Sequence, residues 1–346
     1  MHSFLSLVHS IAQRIAETES KRARLAAFVR EIASETNLTT KVPPSPLEDI
    51  KIAAVDGGIV KKSLHGMDCM LVRAAAVCFQ YKDGKVAKVQ YFPSRNPTPR
   101  PEIYEALSEL DWNHFSSLNR LREEVSTAVQ CLDSLQPDIL LMDGMILPHY
   151  LDKPSRSSPL YNSYESLLQL YNSLFKKVLQ KKICLAGVIE DSRNTIFCEY
   201  LEKHVLSRIT HSIVPEMTSL LRNTRDTNLL SLILKKGERS CSFQSAPVVP
   251  EMTIPAVTTF YLKTASYDRP LKIDYLSDTQ DIDTLSSILL AISGHHSSYG
   301  IPTPIIEADQ VAKLSENEIE ALYSNIISLT GRLSSTMKLR REQRPF

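Results

Sequence analysis

LysIleAlaAlaValAspGlyGly, residues 51–58, decides the reading of the fold. Its apolar run, Ile52 to Val55, reads as a buried strand, and it ends in a carboxylate, Asp56, followed by two turn-forming glycines. Downstream, MetLeuValArgAlaAlaAlaValCysPhe (70–79) and LysValAlaLysValGlnTyrPhe (85–92) flank Asp83-Gly84. That dipeptide between apolar runs is a hairpin signal, so three strands are predicted as an antiparallel meander.

Beyond the proline-rich segment SerArgAsnProThrProArgPro (94–101) the period changes. Helical spacing governs about 103–135, the strand AspIleLeuLeuMetAsp follows at 138–143, a helix covers about 159–181, and a strand IleCysLeuAlaGlyValIle occupies 183–189. A meander feeding αβ units gives an α/β fold with a mixed sheet flanked by helices. This is the order of ribonuclease H-like folds, a topological analogy that carries no function by itself.

Upstream, Phe4, Val8, Ile11 and Ile15, then Leu25, Phe28, Val29 and Ile32, recur at helical spacing. They predict one long amphipathic helix or a helical hairpin, stopped by ProProSerPro at 43–46. The C-terminal part predicts helices around 200–235, a polar stretch at 236–250, strands at 258–263 and 271–276, and a helix over 279–292. A last helix follows Ser315, which has capping-box spacing to Glu318, and precedes a basic tail at 338–344. The expected organisation is an N-terminal helical extension (1–46), a core (47–313), and a C-terminal helix with its tail (314–346).

Forty Lys and Arg against 39 Asp and Glu leave a formal charge of +1 over 346 residues, so any site for a polyanion must come from local charge. With 43% hydrophobic residues the chain is expected to fold throughout. Cys69, Cys78, Cys131, Cys184, Cys198 and Cys241 have no metal-ligand spacing and read as buried thiols of a reducing compartment. The N-terminus has no signal-peptide pattern, and no run approaches the roughly 18 apolar residues of a membrane span. A soluble, cytoplasmic protein is expected.

Asp56 and Asp143 each end an apolar strand and precede Gly. A charge in such a place costs several kcal/mol unless compensated, and a divalent cation commonly compensates paired carboxylates; ordinary turn chemistry is the bland alternative. Glu123 and Glu124 lie on the intervening helix, and the stripe Leu121, Val125, Ala128 and Leu132 puts Glu124 beside the core and Glu123 farther away. Lys61, Lys62, Arg193 and the LysLysGlyGluArg run at 235–239 offer local phosphate-binding charge, although such clusters are usually solvated. His295-His296 is not read as a ligand pair, because adjacent side chains point apart.

AlaAlaValAspGlyGly, LeuLeuMetAspGlyMet, AlaGlyValIleGluAspSerArg (186–193), PheTyrLeuLys (260–263) and TyrGlyIleProThrProIleIleGluAlaAsp (299–309) occur in an order that resembles the NurA nuclease family. The resemblance spans roughly 50–313. It implies a ribonuclease H-like core, manganese- or magnesium-dependent cleavage of DNA, 5′–3′ exonuclease activity with endonuclease activity on single strands, a homodimer, and partnership with a HerA-type hexameric helicase in DNA end resection and repair. Position by position, it implies Asp56 and Asp143 as metal-binding aspartates, Glu124 as the helical glutamate and Tyr261 as an active-site tyrosine. Two positions depart from the family: Glu190 stands where Lys is common, and Asp309 where His is common. Asp309 remains an oxygen ligand for a hard cation. The rival readings are a catalytically weakened DNA-binding scaffold and an actin-like ATPase, the latter disfavoured by only 10 glycines.

Overall fold

The computed structural model describes the chain except residues 1, 106, 245–248, 250, 253–254 and 331–346, with backbone alone at 2–3 and 33–36. The basic tail at 338–344 lies outside the described residues. Two compact units are built from interleaved segments: the first from 1–46, 188–246 and 257–302, the second from 47–187, 247–256 and 303–346. The N-terminal extension thus groups with the 188–302 region, and the last described helix groups with the 47–187 region.

The second unit contains β2 (Ile50–Ser63), β3 (Met67–Lys82), β4 (Lys85–Phe92), β5 (Arg100–Glu105), α2 (Glu109–Ser134), β6 (Ile139–Asp143), α3 (Tyr161–Lys181), the first four residues of β7 (Cys184–Ile189), α8 (Thr303–Ala312) and α9 (Glu316–Thr330). β2 is its axis. It pairs antiparallel with β3 from Ile50↔Tyr81 to Ser63↔Asp68, and parallel with β6 from Ile52↔Ile139 to Val55↔Met142. The spatial order β7-β6-β2-β3-β4 places the first strand of the meander in the middle and the two αβ strands beyond it, the ribonuclease H-like arrangement expected from sequence. Ile52, Ala53, Ala54 and Val55 are fully buried, which explains a continuous apolar run without alternation. Asp83 and Gly84 both take positive φ, the hairpin geometry their sequence demands.

One boundary differs from expectation. Residues 100–105 form an edge strand on β3, from Val72↔Arg100 to Met67↔Glu105, before α2 begins. Pro101 is compatible with an edge strand, and the helix cannot start until Ser108, whose hydroxyl accepts from the Asp111 N–H at 3.1 Å. α8 is a second difference: its ThrProIleIle start gave no periodic signal.

The first unit holds α1 (His2–Thr36), β1 (Thr39–Lys41), α4 (Ile196–His204), α5 (Val214–Arg222), α6 (Asp226–Ile233), β8 (Glu238–Ser240), β9 (Phe243–Gln244), β10 (Val257–Lys263), β11 (Leu271–Leu276) and α7 (Ile282–Ala291). α1 is one continuous helix rather than a hairpin. Leu25, Ala26 and Val29 enter a core with Phe197, Leu201, Leu229, Leu230 and Tyr261, whereas Phe4, Val8, Ile11 and Ile15 on its first half are exposed. The polar stretch at 236–250 supplies the short strands β8 and β9, which pair with β10. Five of the six cysteines are buried and Cys241 is partly so, all as free thiols.

Candidate functional site

The carboxylates converge because of strand register. The parallel ladder ends at Val55↔Met142, so the next residue on each strand is an aspartate, Asp56 beside Asp143. Registered neighbours on parallel strands share a face about 4.8 Å apart, at the carboxyl end of the pair where α/β sheets open a crevice.

α2 packs over β2 and β3 and contributes Glu124, which is only 2% exposed. Its Oε2 accepts from Arg120 Nη1 at 2.8 Å, an i,i+4 pair one helical turn long. The two glycines after Asp56 are shaped by this packing. A Cβ at Gly57 would lie 3.2 Å from Glu124 Oε2, and one at Gly58 would lie 2.2 Å from the Ala312 carbonyl oxygen. Gly57 therefore lets the helical glutamate approach the strand, and Gly58 lets the end of α8 lie directly on it. α8 brings Asp309, whose charge acts on Asp56.

Electrostatics tie the four groups together. Burial above all, with Asp56 and Asp143 adding to it and Arg120 opposing, pushes the Glu124 carboxyl up to about 8. Asp56 is also raised, first by burial and then by Asp309, against one hydrogen bond from the Gly57 N–H at 2.6 Å and the charge of Arg120. Arg120 thus faces two buried carboxylates, Glu124 and Asp56, while Asp143 is half-buried and Asp309 is exposed.

Among the described residues no three His, Cys, Asp or Glu side chains stand together as a closed metal-holding cluster. The donor set is oxygen only, which fits a hard divalent cation of the Mg²⁺ or Mn²⁺ type.

Glu123 points elsewhere, pairing with Arg100 at 2.6 Å, so the helix phase separates the two adjacent glutamates as expected. Lys61 Nζ donates to Asn113 Oδ1 at 3.1 Å and lies 5.6 Å from the Trp112 ring centre; Lys62 Nζ bonds Glu320 at 2.6 Å and lies 4.2 Å from the Tyr323 ring centre. Both lysines thus have partners within the protein.

The first unit holds the other sequence candidates. Tyr261 is completely buried among Phe197 and Phe243, and its hydroxyl donates to Asp226 Oδ2 at 2.7 Å. Burial and Asp226 both push its hydroxyl pKa up, so it is held as a neutral structural donor. Arg193 is exposed, Glu190 is half-buried just after β7, and His295 and His296 are exposed. Arg120 was not singled out in the sequence; its i,i+4 spacing to Glu124 was the available signal.

A model described as the NurA domain matches residues 50–314. The NurA nuclease from Sulfolobus solfataricus has a similar structure, with a TM-score of 0.63 at 17% identity over 94% of this chain and 95% of that one. A NurA structure bound to dAMP and manganese has a TM-score of 0.54 at 13% identity, covering 97% of this chain and 100% of that one. No curated protein matches the sequence. Among the described residues no helix is long and apolar enough to cross a membrane.

Proposed function

Because the chain belongs to the NurA family, we propose that it hydrolyses DNA phosphodiesters at the Asp56–Glu124–Asp143–Asp309 cleft with the aid of Mn²⁺ or Mg²⁺. The observation that supports the reading is the side-by-side placement of Asp56 and Asp143 at the end of the β2–β6 ladder, with the buried Glu124 of α2 in electrostatic reach of both. An actin-like ATPase is set aside by the family assignment. The manganese in a similar NurA structure supports the choice of metal.

Asp56, Asp143, Glu124 and Asp309 would hold one or two cations, which supply charge neutralisation at the scissile phosphate and a lowered pKa for the attacking water. Asp56 and Asp143, on rigid neighbouring strands, fix the spacing of the site. Glu124 is oriented at Oε2 by Arg120, and the buried surroundings strengthen every charge interaction made there. Asp309 closes the site from α8 as an oxygen donor in place of an imidazole. Lys61, with two of its three ammonium donors beyond the Asn113 contact, and the exposed Arg193 supply phosphate contacts without sequence readout. Lys62 contributes positive charge tempered by Glu320. Tyr261 is left out of the reacting set because its hydroxyl is engaged by Asp226.

The finer reading follows the family: 5′–3′ exonuclease action with endonuclease activity on single strands, a HerA-type hexameric helicase as partner in cytoplasmic DNA end resection and repair, and a homodimer. The exposed apolar residues of the first half of α1 support self-association. Incubation of end-labelled single- and double-stranded DNA with the protein in Mn²⁺, Mg²⁺ or EDTA tests the activity. Cleavage with either cation and none in EDTA is expected; no cleavage in any condition rejects the reading. Light scattering at micromolar concentration tests the dimer, and a monomer mass rejects it.

A further inference from the structure

The proline-rich segment that follows β4 has no part in the carboxylate cleft, yet strand register brings it alongside. Phe92, the last residue of β4, pairs with Ala76 on β3, and Arg100, the first of β5, pairs with Val72. The loop between them thus leaves and returns to β3 on either side of Ala75, the residue paired with Asp56 across the β2–β3 ladder. Two strand spacings, about 10 Å, separate the base of the loop from the Asp56 backbone. Pro93, Pro97 and Pro99 restrict its backbone, so holding it in one conformation costs little entropy when a ligand binds.

This loop forms one wall of a cavity of about 580 Å³ lined by Arg73, Arg95, Asn96, Thr98, Glu307 and Gln310, with Pro97, Pro99 and Val311 as its apolar lining. The volume lies in the range of small-ligand sites. The far wall is α8, the helix that carries Asp309, and Gln310 Nε2 donates to Asp309 Oδ2 at 3.1 Å. Tyr91 ties the two walls: its hydroxyl donates to Glu307 Oε1 at 2.8 Å, and the Arg95 guanidinium lies 5.7 Å from its ring centre. Arg73 donates to the Lys313 carbonyl at 2.9 Å and to Glu318 at 2.5 Å, and its Nε is buried without a partner among the described residues. Arg95 is exposed and forms no ion pair among the described residues. The lining offers guanidinium and amide N–H donors and a hydroxyl beside roughly equal apolar surface, and its one carboxylate, Glu307, accepts from the Tyr91 hydroxyl.

We propose that this cavity is a strand-positioning subsite that takes a sugar-phosphate unit of a single DNA strand next to the scissile bond, with Arg95 on the phosphate and Asn96 and Thr98 beside it. The inference rests on the nuclease reading of the adjacent cleft. A guanidinium fork matches phosphate oxygens in pairs, and a rigid loop fixes the register of the strand without reading its bases. Arg95 and Asn96 are positioning residues here; the reacting atoms belong to the cleft.

The test is fluorescence anisotropy of a labelled 15-mer single strand in EDTA, with the full-length chain, Arg95→Ala and Lys88→Ala. Lys88→Ala removes one exposed positive charge from β4, away from the cavity lining. Arg95→Ala is expected to weaken binding severalfold and to reduce the slope of log K against log salt by about 0.7, the value for one lost single-strand phosphate contact. Lys88→Ala is expected to leave both unchanged. Equal affinity and slope for the two variants overturn the subsite, as does a loss seen with duplex but not with single strand. Cleavage by the same wild-type preparation in Mn²⁺ separates the two ideas. Arg95-dependent binding without cleavage removes the nuclease reading and keeps the subsite, whereas cleavage with Arg95-independent binding does the reverse.

Discussion

Two buried carboxylates, Asp226 in the first unit and Glu124 in the second, show what a fold does with the same costly group. Asp226 has no exposed surface and accepts from the Phe197 N–H at 3.0 Å, the Cys198 N–H at 2.9 Å and the Tyr261 hydroxyl at 2.7 Å. It satisfies orphan donors at the start of α4 and locks a core aromatic. Glu124 has one arginine and two neighbouring aspartates that oppose its ionisation. Surrounding a carboxylate with donors makes it architecture. Surrounding it with other carboxylates favours a bound positive charge, which is the physical ground for proposing a metal site there.

The sharpest way to break this contrast is to neutralise each centre. Asp56→Asn or Asp143→Asn should lower cleavage at least about a thousandfold, since charge stabilisation worth several kcal/mol is lost. The melting temperature in EDTA should hold or rise, because the isostere removes charge from a self-repelling cluster. Asp226→Ala should behave oppositely, losing stability in denaturant unfolding because three buried donors are left without an acceptor, each worth about 1–3 kcal/mol. Cleavage surviving both Asn variants sinks the site.

A second contrast is pH. The folded Glu124 titrates at about 8 against an ordinary 4.5, so across that window the unfolded chain releases a proton the folded chain keeps. Stability in EDTA should therefore fall as pH rises from about 5 to 8, by up to about 1.4 kcal/mol per pH unit. Asp56, raised as well, adds in the same direction. Glu124→Gln should flatten the profile in thermal melts, and Mn²⁺ should counter the fall by binding the ionised form. A smaller effect is expected at Tyr261→Phe, which deletes one bond to a charged acceptor and should cost about 1.5–3 kcal/mol of stability. A tenfold loss of kcat at unchanged melting temperature would instead return Tyr261 to the reacting groups. Smallest of all, Glu320→Ala, which removes a mostly exposed partner of Lys62, should change stability by less than about 1 kcal/mol.

Much of the second unit was legible in the sequence because its elements announce themselves locally. The run Ile52–Val55, the Asp83-Gly84 turn and the stripe through Leu121 and Val125 each carry their own period, and the phase of α2 alone separates Glu124 from Glu123. What the sequence withheld depends on contacts made far along the chain. α8 lacks an apolar period, so its seating on Gly58 was invisible, and β8 and β9 are too short to show alternation. Tyr261 was singled out by the family resemblance, and that its hydroxyl meets Asp226 is a long-range contact no local pattern could show. The proline-rich 94–101 segment marked only a change of period, since strand register alone reveals that both its ends return beside Ala75.

The seating of α8 on Gly58 also bears on how the protein is made. Asp56, Glu124 and Asp143 leave the ribosome within one stretch of chain, but Asp309 follows 166 positions after Asp143. At usual rates of synthesis that interval lasts roughly 10–30 s. During it a growing chain carries three of the four carboxylates without the helix that closes over them, so the cleft is completed only after α8 has been translated.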